Sequence, residues 1–158
     1  MKHGKIIGIL LVICIAITFL GVASAAEVVV NGEKFNLPDN YVKNEASSSV
    51  KKTSTGTEEH AVYDSDSSKD YISIVITVFN SGTPQVPELP GSVDKTINGV
   101  NGKYVENFAG TDSEQFAYIS NGKLVMLTKN ADSNLTFEDV VIKPAEEQGS
   151  GSIFNLFG

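Results

Sequence analysis

The chain has 158 residues, and its 19 acidic side chains against 12 lysines and no arginine give a formal charge of −7 at pH 7. Such a surface repels phosphate backbones and lacks the forked guanidinium that binds them, so nucleic acid is not an expected partner. The single cysteine, Cys14, lies in the N-terminal apolar segment, and the rest of the chain therefore has no disulfide, thiolate metal site or cysteine nucleophile.

Residues 1–25 have the pattern of an export signal. Lys2 and Lys5 precede an apolar run from Ile6 to Val22, and Ala23-Ser24-Ala25 supplies the small residues that a signal peptidase accepts. We expect a secreted or cell-envelope protein, or a membrane-anchored one if the segment stays uncleaved, although the run is slightly short for the roughly 20 residues that span a bilayer. Cleavage leaves 10 lysines against 19 acidic residues, a formal charge of −9.

Residues 26–143 predict a single α+β domain dominated by antiparallel strands, since this length suffices for one core and not for two. Asn-Gly dipeptides favour two-residue hairpin loops, because both central positions of such loops need positive φ. The chain contains four of them: Asn31-Gly32, Asn98-Gly99, Asn101-Gly102 and Asn121-Gly122.

The first half of the domain alternates strand-like and polar segments. Residues 27–37 predict a hairpin, and residues 43–59 are polar enough for a loop or a weak edge strand. Residues 71–79 are β-branched or aromatic nearly throughout and apolar on both faces, which predicts a central strand covered on both sides. The proline-rich residues 80–92 predict a loop that crosses the domain.

The second half predicts further hairpins and one helix. Strands at 115–119 and 123–128 flank Asn121-Gly122. A capping box of Thr136 and Asp139 predicts a helix of about two turns, residues 137–143. Residues 144–158 predict a flexible tail whose apolar end, from Ile153, either docks on the domain or stays loose.

Few residues suggest chemistry. His60 is the only histidine after the export segment, and its acidic neighbours indicate a solvated residue at a strand edge. The acidic loop of Asp64, Asp66 and Asp70 has the oxygen spacing that begins a calcium site, but Lys69 stands where an EF-hand needs glycine. A solvated loop is the alternative, and the three residues are the candidate metal ligands.

Other activities have less support. Two carboxylates of a hydrolase need only meet in space, and nothing in the sequence marks such a pair. No glycine-rich phosphate loop follows a strand, and no cofactor is expected. Asn134-Leu135-Thr136 is a glycosylation sequon, which matters only in a host that modifies such sites.

Several motifs carry a resemblance to a known group. Residues 31–41 resemble the opening N-G-x-x-F-x-[IL]-P-x-x-Y of small secreted proteins from methanogenic archaea. Residues 96–104, together with 116–118 and 122–125, resemble their middle and last hairpins. The order is more distantly similar to α/β sandwiches of the PsbP and Mog1 type, although residues 84–90 replace an expected flanking helix. The resemblance implies an antiparallel sheet with a short C-terminal helix and brings no site residues with it.

These observations together predict a non-enzymatic envelope or extracellular module that binds a protein or a small ligand. The alternatives are a hydrolase acting on cell-surface polymers through unmarked carboxylates and a calcium-binding domain that uses Asp64, Asp66 and Asp70. The membrane is a partner only if residues 1–25 remain attached.

Overall fold

The computed structural model describes residues 25–143, which form ten β-strands, a 3-10 turn at Phe108–Gly110 and one short helix, α1, at Phe137–Val140. The predicted architecture, mainly antiparallel β with a short helix near the C-terminus, is confirmed. All but the last residue of the predicted export signal, residues 1–24, lies outside the described residues. The predicted tail, residues 144–158, also lies outside them. The strands are β1 (Ala25–Val30), β2 (Glu33–Pro38), β3 (Tyr41–Lys43), β4 (Ser49–Lys52), β5 (Gly56–Ser65), β6 (Tyr71–Phe79), β7 (Val93–Ile97), β8 (Val100–Val105), β9 (Ser113–Ser120) and β10 (Lys123–Asn130).

Eight of the described strands form one antiparallel sheet in the order β3-β5-β6-β10-β9-β8-β7, and β4 also pairs with β5. Strands β3 and β4 lie along successive parts of β5, since Tyr41 is opposite Ser65 and Ser49 is opposite His60. Strand β6 therefore lies inside the sheet, between β5 and β10. Strands β1 and β2 form a separate two-stranded sheet.

The hairpin of β1 and β2 and the helix α1 cover one face of the large sheet. Ile72, Ile74 and Ile76 of β6 are fully buried on that face, and they belong to the same core cluster as Phe35 of β2 and Phe137 of α1. The opposite face of β6 is only half-buried. The expectation that β6 is covered on both sides is therefore met on one face, and the other, which we call the open face, is partly exposed.

The Asn-Gly dipeptides occupy two kinds of position. Asn31 and Gly32 have φ values of 47° and 78° and lie between the paired residues Val30 and Glu33. Asn98-Gly99 and Asn121-Gly122 also have positive φ and lie between β7 and β8 and between β9 and β10. The turn predicted at Asn101-Gly102 is wrong, because both residues lie inside β8.

Gly102 is required in β8 by packing rather than by a turn. A Cβ atom there would lie 2.4 Å from the Ala117 carbonyl oxygen and 2.7 Å from the Phe116 ring. Phe116 is fully buried and stacks on Tyr118 with ring centroids 5.3 Å apart. The glycine thus makes room for a core aromatic on the neighbouring strand, a known reason for glycine inside strands.

Helix α1 begins as predicted and ends early. Thr136 Oγ1 accepts from the Asp139 backbone N–H at 3.2 Å, and the Asp139 carboxylate accepts from the Thr136 N–H at 2.9 Å, so the capping box is present. The predicted extension to residue 143 is wrong, because Val141 is extended and forms a β-bridge with Phe35. Pairing with β2 replaces the second helical turn.

The two polar segments differ in structure. Residues 43–59 contain the exposed edge strand β4 and the first residues of β5. Residues 80–92, which we call the crossing segment, contain no helix or strand. No helix in the described part of the chain is long and apolar enough to cross a membrane.

Candidate functional site

The open face of the large sheet carries a groove of about 650 Å³ between four strands and three connecting segments. Val75 of β6 and Met126 of β10 are register partners on its floor. Pro87 and Leu89 of the crossing segment and Phe108 of the 3-10 turn line it as well. We call this cavity the open-face groove; its walls are largely apolar, as in most small-molecule sites.

Four polar side chains cross the groove from strand to strand. His60 Nε2 of β5 lies 2.8 Å from Ser73 Oγ of β6. Ser73 is the register partner of Thr128 on β10, and Thr128 is the register partner of Gln115 on β9. Gln115 Nε2 donates to Thr128 Oγ1 at 3.2 Å. We call these four residues the polar row.

Gln115 holds the most informative atom of the row. Its side chain is only 5% exposed, and its Oε1 atom is buried without a hydrogen-bond partner. Strand alternation explains the position, because Phe116 on the same strand faces the core and Gln115 therefore faces the groove. An unpaired buried acceptor costs about 1–3 kcal/mol of stability. Within the described residues, Ser92 Oγ is the other buried side-chain atom without a partner.

The charge on the groove walls is small and negative. Glu58 is the carboxylate among the described lining residues, and no lysine is among them. A bound anion would therefore meet no lysine there and would be repelled by Glu58. The groove suits a ligand that is neutral or positive.

The residues that the sequence suggested for a site, His60 and the acidic loop 64–70, do not form one common site in the structure. His60 is half-buried within β5, is paired with Ser49 on one side and Val75 on the other, and contacts Ser73, so its interpretation as a solvated residue at a strand edge is wrong. Asp64 accepts from Asn44 Nδ2 at 2.7 Å, and no group of three His, Cys, Asp or Glu side chains within residues 25–143 is placed to hold a metal. The structure does not bring Asp64, Asp66 and Asp70 together as such a group, and the calcium hypothesis stays a prediction from the sequence.

A second polar cluster surrounds Glu33 at the start of β2. Its buried carboxylate accepts from Ser120 Oγ at 2.7 Å and from Asn121 Nδ2 at 3.0 Å, and it lies 2.9 Å from Lys123 Nζ. Burial raises the pKa of Glu33. The hydrogen bonds from Ser120, Lys123 and Asn121 together lower it by more than burial raises it, so the net pKa lies below the ordinary value. Lys123 also donates to the Asn31 carbonyl at 2.6 Å.

This second cluster has a structural role. Each Glu33 oxygen is hydrogen-bonded, and its partners belong to β9, β10 and the turn that joins them. The cluster thus ties the first hairpin to the large sheet. Glu33 has no unused hydrogen-bonding atom to offer a ligand. Gln115 differs because its buried Oε1 atom has no partner.

Sequence reasoning did not find Ser73, Gln115 and Thr128 as site residues. Each is an unremarkable polar residue on one face of a strand, and their proximity depends on the order β6-β10-β9. Burial distinguishes Gln115 from other polar strand residues, but in the sequence it lies between Glu114 and Phe116, and only the packed sheet shows that it is buried.

Comparison of the chain with protein-family models, with curated proteins and with solved structures gave no match. The resemblance to secreted archaeal proteins and to PsbP and Mog1 sandwiches therefore stays a prediction.

Proposed function

We propose that this protein is an exported binding module that holds an uncharged small ligand in the open-face groove without transforming it. The buried Gln115 Oε1 atom without a partner carries the proposal. A folded protein that keeps such an acceptor loses stability, and a ligand that donates to it recovers that loss only in the complex. Export is supported by the pattern of residues 1–25.

The ligand has to move part of the groove wall to reach Gln115, because the Oε1 atom is buried in the free protein. Pro87 and Leu89 form the part of the wall that has no strand pairing to break, since the crossing segment contains no strand. A cheap local opening of this kind is typical of binding loops. Binding is therefore expected to order the crossing segment around the ligand.

Thermal-shift measurements with a panel of neutral and charged small molecules test the proposal. We expect neutral hydrogen-bond donors to raise the melting temperature and Gln115→Met to reduce that rise at the same ligand concentration. Gln85→Met is the matched control, because Gln85 is exposed on the crossing segment and does not line the groove. The proposal fails if ligands stabilise the Gln115→Met variant as much as the unaltered protein.

A hydrolase is the second candidate, and the 2.8 Å distance from His60 Nε2 to Ser73 Oγ favours it. This distance suits a base next to a nucleophilic hydroxyl. A fluorophosphonate probe distinguishes the two functions, since a binding module leaves Ser73 unlabelled. Labelling that disappears in Ser73→Ala and in His60→Gln would establish the hydrolase instead.

Calcium binding by Asp64, Asp66 and Asp70 is a third candidate that rests on the sequence pattern alone. A rise in melting temperature with millimolar calcium, reversed by a chelator and lost in Asp66→Asn, would establish it. An unchanged melting temperature would remove it.

A further inference from the structure

We infer that the ligand of the open-face groove is a short neutral oligosaccharide lying across β5, β6, β10 and β9, with its hydroxyl groups along the polar row. This inference rests on the proposed binding function and names the ligand class. Four properties of the groove support it: the spacing of the polar row, its hydrogen-bonding chemistry, the apolar walls beside it, and the absence of lysine from the described groove walls.

The spacing of the polar row favours a chain with regularly repeated polar groups. Neighbouring strands lie about 4.8 Å apart, so the row from His60 to Gln115 spans three strand spacings, roughly 14 Å. A compact ligand such as one sugar or one amino acid would reach only part of this length. In an extended sugar chain, the spacing of successive rings is similar to the spacing of the strands. Each ring can therefore lie near one strand, with its hydroxyl groups beside the polar row.

The chemistry of the row matches hydroxyl groups. Ser73 and Thr128 both donate and accept, the His60 ring has two nitrogens that form hydrogen bonds, and Gln115 offers its unused Oε1 acceptor. A hydroxyl group can also donate and accept at once, so one ligand group type satisfies all four side chains. A fatty chain would leave Gln115 Oε1 unpaired, which selects against it.

The apolar walls fit the C–H faces of sugar rings. Tyr71, Phe108 and Met126 line the same groove, so aromatic and thioether surfaces flank the polar row. Glu58 is the carboxylate on the groove wall and no lysine among the described lining residues offsets it, so an acidic sugar is disfavoured. A neutral oligosaccharide meets both the apolar and the electrostatic conditions.

Nuclear magnetic resonance titration of the purified protein tests the inference. The probes are cellotetraose, mannotetraose and the tetramer of N-acetylglucosamine, with tetragalacturonate as the acidic counterpart of similar length. We expect at least one neutral tetramer to shift the backbone amides of Ser73, Gln115 and Thr128, and tetragalacturonate to leave them unchanged. Gln115→Met should weaken the binding about tenfold, as the loss of one hydrogen bond to a buried group does.

Two further variants keep the result interpretable. Gln85→Met should bind like the unaltered protein, and Ser73→Ala should weaken binding even if Gln115→Met folds poorly. Should decanol or a short neutral peptide shift these amides while no neutral tetramer does, the oligosaccharide inference is wrong and the binding function stands. If tetragalacturonate binds as well as the neutral tetramers, or if no probe shifts the amides, the inference is overturned; the melting-temperature panel then decides the binding function separately.

Discussion

The amide of Gln115 donates to Thr128 Oγ1 at 3.2 Å, while the oxygen of the same amide is buried without a partner. One end of the side chain is therefore held in place and the other end is unsatisfied. The contrast with Glu33 is informative, because the Glu33 carboxylate is equally enclosed but accepts from Ser120 and Asn121 and pairs with Lys123. The buried carboxylate of Glu33 is thus fully satisfied, whereas the amide oxygen of Gln115 in the groove is not.

Replacement of Gln115 by methionine should not destabilise the free protein. The change removes a buried acceptor without a partner and keeps the side-chain length, so we expect the free energy of unfolding to stay equal or to rise by up to about 1 kcal/mol. Urea denaturation of the two proteins measures it. A loss of more than about 1 kcal/mol would show that Gln115 is a structural residue, because its bond to Thr128 would then outweigh the unpaired oxygen.

Replacement of Glu33 by glutamine should remove a stabilising contact and part of the acid sensitivity. The pKa of Glu33 lies below its ordinary 4.5, so its contribution is complete above that value and is lost as the pH falls below it. We expect Glu33→Gln to lower the stability at neutral pH by about 2 kcal/mol, since it leaves Lys123 without its carboxylate. Its stability should also fall less steeply below pH 4.5 than that of the unaltered protein.

Glu27 supplies the control for that prediction. It pairs with Lys34 at 2.8 Å, but both side chains are largely exposed. Glu27→Gln should therefore change the stability by no more than about 0.5 kcal/mol. Equal losses of stability in Glu33→Gln and Glu27→Gln would contradict the structural role of Glu33. Chemical denaturation at several pH values measures both variants.

Gly102→Ala should be one of the most damaging single-methyl additions in the described domain. The new Cβ would approach the Ala117 carbonyl oxygen to 2.4 Å and the Phe116 ring to 2.7 Å. Backbone and a fully buried ring cannot both move away cheaply, so we expect a loss of about 3 kcal/mol. Asn101→Ala, at the exposed preceding residue, should cost less than about 1 kcal/mol. Circular dichroism melts of both variants check the difference, and a tolerated Gly102→Ala would show that β8 lies farther from β9.

Tyr104 should contribute to the loss of folding stability at alkaline pH. Burial, and then the nearby charges of Glu114 and Glu106, raise the pKa of Tyr104 to about 12. A raised pKa means that the fold favours the neutral ring, so this contribution is complete below the ordinary 10.0 and is lost as the pH rises toward 12. Tyr104→Phe should therefore lose stability less steeply between these values. Identical alkaline profiles of the two proteins would contradict the shift.

Local features of the fold could be predicted, and features that depend on distant segments could not. The capping box of Thr136 and Asp139 involves four consecutive residues, and the structure contains it. The end of the same helix depends on the bridge from Val141 to Phe35, which comes from the other end of the domain. Gly102 is similar, because its environment is set by Phe116 on another strand.

The candidate site was beyond sequence reasoning for the same reason. Asp64, Asp66 and Asp70 are close in sequence and suggested a ligand, whereas Ser73, Gln115 and Thr128 are far apart in sequence and meet through the order β6-β10-β9. The contact of His60 with Ser73 likewise depends on the pairing of β5 with β6.

The sequence by itself determined the acidic charge, the position of the single cysteine in the N-terminal apolar segment, the mainly antiparallel β class and the start of α1. These properties depend on composition or on interactions within a few residues. Tertiary structure alone decided which face of the sheet the first hairpin covers, and therefore which face keeps an open groove. It also decided that Gln115 is buried without a partner, because burial is a property of the packed neighbours and not of the residue.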